Sequence, residues 1–365
     1  MDATPAEMDV AMLDGGASRT SERLRGYRRA LAGGAVMLAF VTLAIVIGGA
    51  SKLARHSGHQ RPVSLGPRSS RATYVYISFH GNHRRSPTQD QGVNQIYRYT
   101  LRPAAMAASG VPPDAPVHVL QHVLGEHTRL LRGMLLEPAT GDLFVANAYY
   151  DDSKVLRFGP CEPNGSRAFV ERVAPRVQDS RLVHPYGLAL LDETLYATTQ
   201  DTGSIVGVRV AERDRALEHS LEFGRAGQKV AFRGLASFDG CLYAAEEGSS
   251  SVLKLCDGVL RASIHIRKPI GVVVDERRRL LFVGSRWRKR PRVAAFDLDS
   301  HTTVQEYTLG RMTHPAGLAV DGDRLYVAEQ DALQVLEFDI PSGQFTRVVV
   351  DDLPDDPEGM LLTTC

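Results

Sequence analysis

Five stretches of the chain repeat one pattern of apolar and polar positions. They read RGMLLEPATGDLFVAN from Arg132, HPYGLALLDETLYATT from His184, FRGLASFDGCLYAAE from Phe232, KPIGVVVDERRRLLFVGS from Lys268 and HPAGLAVDGDRLYVAE from His314. Each carries a glycine near its start: Gly133, Gly187, Gly234, Gly271 and Gly317. Apolar residues then alternate, a polar turn interrupts, and the copy ends on leucine, an aromatic and small residues. A shorter sixth copy, EGMLLTTC, begins at Glu358 and contains Gly359. Period-2 alternation on both sides of a polar turn predicts an antiparallel hairpin. In the last full copy, Gly317–Val320 and Arg324–Ala328 are the hairpin strands around Asp321-Gly322-Asp323. Gln334–Asp339 alternates as a third strand and Phe345–Val350 as a fourth.

Four-stranded units whose glycines lie 37 to 54 residues apart predict the blades of a β-propeller. A blade cannot bury both faces alone, so the copies must stack into a closed ring. The sixth copy has only an innermost strand. Its partners are Thr73–Phe79, Asn94–Leu101 and Val117–Val123. The expected fold class is therefore all-β: a six-bladed β-propeller over 72–365, closed by mixed N- and C-terminal strands.

The segment Leu31–Ala50 breaks this pattern. With its neighbours it gives 22 uncharged residues between Arg29 and Lys52, enough to span a hydrocarbon core as a transmembrane helix. The competing accounts are a buried core helix and a cleaved signal peptide ending near Gly-Gly-Ala-Ser at 48–51. Five arginines (Arg19, Arg23, Arg25, Arg28, Arg29) precede the segment closely and three basic residues (Lys52, Arg55, Arg61) follow it. That bias favours a cytoplasmic N-terminus and a type II signal-anchor. The expected organisation is a disordered tail at 1–30, the anchor helix at 31–50, a basic flexible stalk at 51–71 and a luminal or extracellular propeller.

Composition adds little. A net charge of +1 implies no pull toward nucleic acid, and a propeller outside the cytosol would not meet it. Four cysteines do not make a disulfide scaffold. Cys241 and Cys256 nevertheless face each other across a predicted hairpin, as a disulfide or as two free thiols. Whether Cys161 and Cys365 pair is open. Asn164-Gly165-Ser166 has the form of a glycosylation acceptor.

The pattern His-Pro-x-Gly-Leu-Ala followed by Leu-Tyr-Val-Ala resembles NHL repeats. More broadly, residues 73–365 resemble the SMP-30/gluconolactonase, paraoxonase and strictosidine-synthase-like propellers, several of which carry an N-terminal anchor. The resemblance implies a divalent metal, Ca2+, near the central channel. In such proteins Glu, Asn and Asp ligands lie just before blade glycines. Glu358 matches that motif.

Two rings of residues follow from the repeats. The residues before each glycine are Arg132, Tyr186, Arg233, Ile270, Ala316 and Glu358. Those closing each second strand are Phe79, Asn147, Thr199, Glu246, Ser285 and Glu329. Both rings are expected near the axis on one face. Glu358, Asn147, Glu246 and Glu329 could gather as metal ligands only if Arg132 and Arg233 turned away, because calcium tolerates no nearby cation cheaply. The alternatives are an ionic network, with Arg132 and Arg233 paired to Glu358 and Glu246, or an anion site on the two arginines. His184 and His314 share one repeat position and are expected to be structural. His80 and His83, in the long loop after Phe79, are the weak candidates for a catalytic base. The run Arg286, Trp287, Arg288, Lys289, Arg290, Pro291, Arg292 is a candidate surface for a protein, a glycan or a small anion.

Two functions follow. One is a membrane-anchored recognition domain acting through its channel-face loops. The other is an anchored metal-dependent hydrolase of lactonase or arylesterase type.

Overall fold

The computed structural model describes residues 72–79, 94–102, 114–122, 126–175, 181–210, 219–222 and 230–365. The tail, the anchor segment, the stalk and both His80 and His83 lie outside the described residues. Among the described residues no helix is long and apolar enough to cross a membrane.

The strands assemble into six four-stranded antiparallel sheets, the blades of a propeller. The second blade runs Leu131–Leu136, Leu143–Asn147, Lys154–Phe158, Phe169–Pro175 from axis to rim. The third is Pro185–Leu191, Thr194–Thr199, Ser204–Arg209, His219–Glu222. The fourth is Phe232–Phe238, Cys241–Glu246, Ser251–Cys256, Val259–His265. Pro269–Asp275, Leu280–Ser285, Arg292–Asp297, Thr303–Tyr307 form the fifth. Pro315–Asp321, Arg324–Glu329, Gln334–Asp339, Phe345–Val350 form the sixth. The first blade joins both ends of the domain. Its outer strands are Tyr74–Phe79, Tyr97–Thr100 and Val117–His118, and its innermost strand is Pro357–Thr363.

Strand alternation explains how one sheet serves two interfaces. In Leu143–Asn147, Leu143 and Val145 pack with Tyr76, Ile96 and Val119 of the first blade. The intervening Phe144 and Ala146 pack with Leu188, Leu195 and Val206 of the third. The same arrangement produces a buried apolar cluster between every pair of consecutive blades. The last of these sets Val75, Ile77 and Phe79 of the first blade against Tyr326, Ala328 and Val335 of the sixth.

At the axis, the recurring glycine is a matter of space. A Cβ on Gly234 would lie 2.7 Å from the carbonyl oxygen of Ile270, and one on Gly317 would lie 2.9 Å from that of Glu358. Gly133 meets the backbone around Gly187, Gly187 that around Gly234, Gly271 that of Ala316, and Gly359 the carbonyl of Arg132. Each glycine presses on the next blade, and the sixth returns to the first. Side chains there would hold the innermost strands apart.

Two disulfides join the described cysteines. Cys241 and Cys256 are opposite partners on adjacent strands, with Cα atoms 4.2 Å apart. Cys161 and Cys365 are bonded with Cα atoms 6.2 Å apart, tying the chain's end to the second blade.

Candidate functional site

The bulge that carries each glycine also builds the site. In the innermost strands, ladder pairing skips between Leu131 and Met134, Pro185 and Leu188, Phe232 and Leu235, Pro269 and Val272, and Pro315 and Leu318. The first blade skips at the corresponding place, between Ile77 and Phe79 opposite Pro357–Met360. Residues at a bulge leave the ladder and are re-aimed. In this way Arg132, Tyr186, Arg233, Ile270, Ala316 and Glu358 come together at the channel mouth.

Glu358 is the central acid. It accepts hydrogen bonds from the Tyr186 hydroxyl and from the Gln330 amide. Arg132 Nη1 lies 3.8 Å from Glu358 Oε2, and both side chains are almost fully buried. Arg132 Nη2 is 3.4 Å from His184 Nε2, and His184 Nδ1 is 3.2 Å from Asp201 Oδ2. The tautomer that satisfies both contacts donates from Nδ1–H to Asp201 and accepts from Arg132 at Nε2. Burial, then the Arg132 charge, holds the His184 pKa below its ordinary value, which favours this neutral form. Burial, then the Glu358 charge, pushes the Tyr186 hydroxyl well above its usual range, so it remains a donor. Arg132 and Arg233 lie over the Tyr186 ring at 5.9 and 5.2 Å. Tyr186, Ile270 and Ala316 form a small apolar cluster between these polar groups.

Arg233 turns the other way. Its Nε and Nη2 donate to Glu247 Oε2 at 2.9 and 2.8 Å, and Nη1 donates to Gln200. Arg286 also donates to Glu247, and Lys268 lies 3.5 Å from it. Burial opposes ionisation of Glu247, but the charges of Arg233 and Arg286 outweigh it and hold the carboxyl below its usual range.

The expectation of an Arg233–Glu246 pair therefore needs correction: the acid is Glu247. The second ring is likewise not at the mouth. Glu246 Oε1 accepts from the amides of Ala231 (2.9 Å) and Gly248 (2.7 Å), and Oε2 from Ser249 N at 2.5 Å. Glu329 accepts from the amides of Thr313, His314 and Ala332 at 2.9, 2.6 and 2.6 Å. Asn147 accepts from Arg129 N at 2.6 Å and donates to Asp152 O at 2.9 Å. Thr199 bonds the amide of Ser204, and Ser285 the carbonyl of Arg267. These side chains brace each blade's second turn and the loop leading into its first strand. The residues facing the axis are one position further on: Gln200, Glu247, Arg286 and Gln330. Each follows the last residue of its strand, so strand alternation alone does not place it.

Glu358, Asn147, Glu246 and Glu329 are thus not brought together. Among the described residues, no three His, Cys, Asp or Glu side chains are placed to hold a metal ion. The carboxylates already accept from N–H and O–H donors, and a guanidinium stands beside Glu358. This donor set does not fit calcium, which needs six to eight oxygen ligands.

The basic run is partly spent. Trp287 stacks with Arg267 at 4.8 Å, and Arg290 and Arg292 pair with Glu306 at 2.6 and 3.0 Å. Arg288 and Lys289 are exposed. Asn164 is exposed in a turn, where its Oδ1 accepts from Ser166 N at 2.9 Å.

No protein-family model matches the chain, and no curated protein matches it in sequence. Solved structures do. A chain of the nidogen/laminin complex superposes with a TM-score of 0.55 at 14% identity, covering 79% of this chain and 97% of that one. A candidate 6-phosphogluconolactonase from Bacteroides fragilis gives 0.54 at 14%, covering 81% and 99%. Another from Bacteroides uniformis gives 0.53 at 11%, covering 80% and 100%. At these identities the likeness establishes the propeller fold and leaves the activity to the residues.

Proposed function

We propose that this protein is a membrane-tethered recognition propeller in an oxidising compartment, and that its channel mouth receives a small anionic ligand. The observation that carries the second part is Arg132. Its side chain is almost entirely buried, yet Nε and Nη1 have no hydrogen-bond partner. A buried donor left open costs about 1–3 kcal/mol, and a ligand acceptor would recover it. The compartment is supported by the two disulfides, which persist outside reducing cytosol, and by the exposed Asn164 turn. The anchor is supported by the uncharged run at 31–50.

A thermal-shift screen of the full chain in detergent, against small anions, neutral sugars and amines, tests the recognition role. Stabilisation by anions alone is the expected result. Stabilisation only by amines or sugars would reject it. In microsomes, Asn164 should carry an endoglycosidase-sensitive glycan that the Asn164→Gln variant lacks. Cleavage of the propeller by added cytosolic protease would reject the proposed topology.

A second reading is hydrolysis of a lactone or ester. It draws on the two Bacteroides neighbours and on the His184–Asp201 pair. The readings share an anion, as ligand in one and as carboxylate product in the other. Turnover of a lactone panel that disappears in His184→Asn would favour the hydrolase.

A further inference from the structure

We infer that the ligand of the channel mouth is a small organic carboxylate, seated against Arg132 over the apolar Tyr186, Ile270 and Ala316 cluster. The inference rests on the recognition reading and deepens it.

Three features of the mouth argue for this class. The first is the supply of open donors. Arg132 Nε and Nη1 and Arg286 Nε are all buried and without hydrogen-bond partners; His314 Nε2 is likewise unpartnered and donates only in its Nε2–H tautomer. They belong to the second, fifth and sixth blades, on either side of Glu358 and Gln330. The local acceptors are committed: Glu358 accepts from Tyr186 and Gln330, and Glu247 from Arg233 and Arg286. An occupant must therefore bring its own acceptor oxygens.

The second is charge. Among the described residues the mouth holds four cations, Arg132, Arg233, Lys268 and Arg286. They face the carboxylates Asp201, Glu247 and Glu358, and Asp331 acts on His314 as Asp201 does on His184. The charges are close to balance, with no surplus to neutralise a dianion. A carboxylate brings one negative charge, whereas a phosphate monoester brings about 1.5 to 2 at neutral pH. Overfilling a buried site with charge is costly.

The third is the floor. Ile270, Ala316 and the Tyr186 ring are apolar and packed together. They offer contact to a short hydrocarbon body, which inorganic ions lack. Arg132 is also held from behind. Its carbonyl accepts from Ser78 Oγ at 2.6 Å, and its Nη2 meets His184. The guanidinium is thus fixed in place before any ligand arrives.

The test is calorimetric titration of the full chain in detergent with propionate, benzoate, inorganic phosphate and methylammonium. Propionate and benzoate should bind, with benzoate tighter. Arg132→Gln should weaken both by about 10- to 100-fold, the worth of a charge-assisted hydrogen bond. Arg277→Gln, at an exposed turn where the arginine pairs with Asp323, should leave both unchanged. Should Arg132→Gln melt too low to titrate, Arg132→Lys keeps the charge and the stem, and should still lose about tenfold. Phosphate binding that depends on Arg132, without carboxylate binding, would overturn the ligand class and keep the recognition role. Carboxylate binding indifferent to Arg132 would overturn the site. Absence of binding by any anion would overturn the inference and the recognition reading together.

Discussion

At the scale of single residues, burial weighs on two histidines beside the channel mouth. His184 and His314 occupy equivalent positions, and burial holds the pKa of each below its ordinary value. Arg132 adds to the effect at His184, and Arg286 adds to it at His314. In the unfolded chain both take up a proton near pH 6.5. The folded protein resists protonation until a lower pH, so between about pH 6.5 and that lower pH the unfolded state binds more protons. The histidine contribution to stability is thus full above about pH 6.5 and is lost as the pH falls through the folded values. Thermal melts between pH 8 and pH 5 should show a falling midpoint below about 6.5. The His184→Gln/His314→Gln double variant should flatten the decline. An identical slope in both proteins would remove these residues from the account.

At the scale of the element, the repeat is a strand with a bulge and a glycine, and the bulge is what sequence pattern alone conceals. Gly187→Ala tests the packing side of that unit. Its new Cβ would sit 2.8 Å from the Arg233 carbonyl oxygen and from Gly234 C, both backbone, so the next blade must move. The expected loss is about 1–3 kcal/mol, read as a lower urea midpoint. Gly310→Ala is the control, because a Cβ there meets nothing within 4 Å. It should stay within about 0.5 kcal/mol of the parent. Equal effects would mean that close approach at the axis is not what the glycine serves. The same bulge explains what was legible in advance. Period-2 alternation and the recurring glycine located the hairpins, since both depend on local residue order. The pre-glycine ring was legible for the same reason. For the second ring the repeat points one residue short of the axis-facing position. Glu246 and Glu329 look like channel acids beside Arg233 and Glu358, but the open amides of the neighbouring turns claim them. Glu247 and Gln330, one residue past the strand ends, face the axis instead. Which of two adjacent polar residues turns inward depends on backbone donors contributed by other segments, and no local pattern records those.

At the scale of the whole molecule, the propeller is a ring whose seam lies in the first blade. Pro357–Thr363 pairs with Tyr74–Phe79 from the far end of the domain, in register from Tyr74 with Thr363 to Ile77 with Met360. Gly359 N donates to Ser78 Oγ at 2.9 Å, and that hydroxyl donates to the Arg132 carbonyl. The seam therefore runs through the residue that heads the candidate site. The two disulfides bear on it unequally. Cys241–Cys256 closes 15 residues within one hairpin, whereas Cys161–Cys365 closes 204 and fastens the closing strand to the second blade. By the entropy of loop closure, the first is worth about 3 kcal/mol and the second about 5. Cys365→Ser should accordingly lower the melting midpoint more than Cys241→Ser. It should also weaken ligand protection at the mouth, because loosening the strand releases Glu358 and the carbonyl support of Arg132. Cys241→Ser should leave that protection intact, since Cys241 and Cys256 pair at the opposite end of their hairpin from Glu247. Parallel melts of the two variants, with and without propionate, decide the matter. Equal melting losses, with protection retained in both, would mean that ring closure rests on the apolar interface with Tyr326 and Val335 and that the terminal disulfide adds nothing to the site.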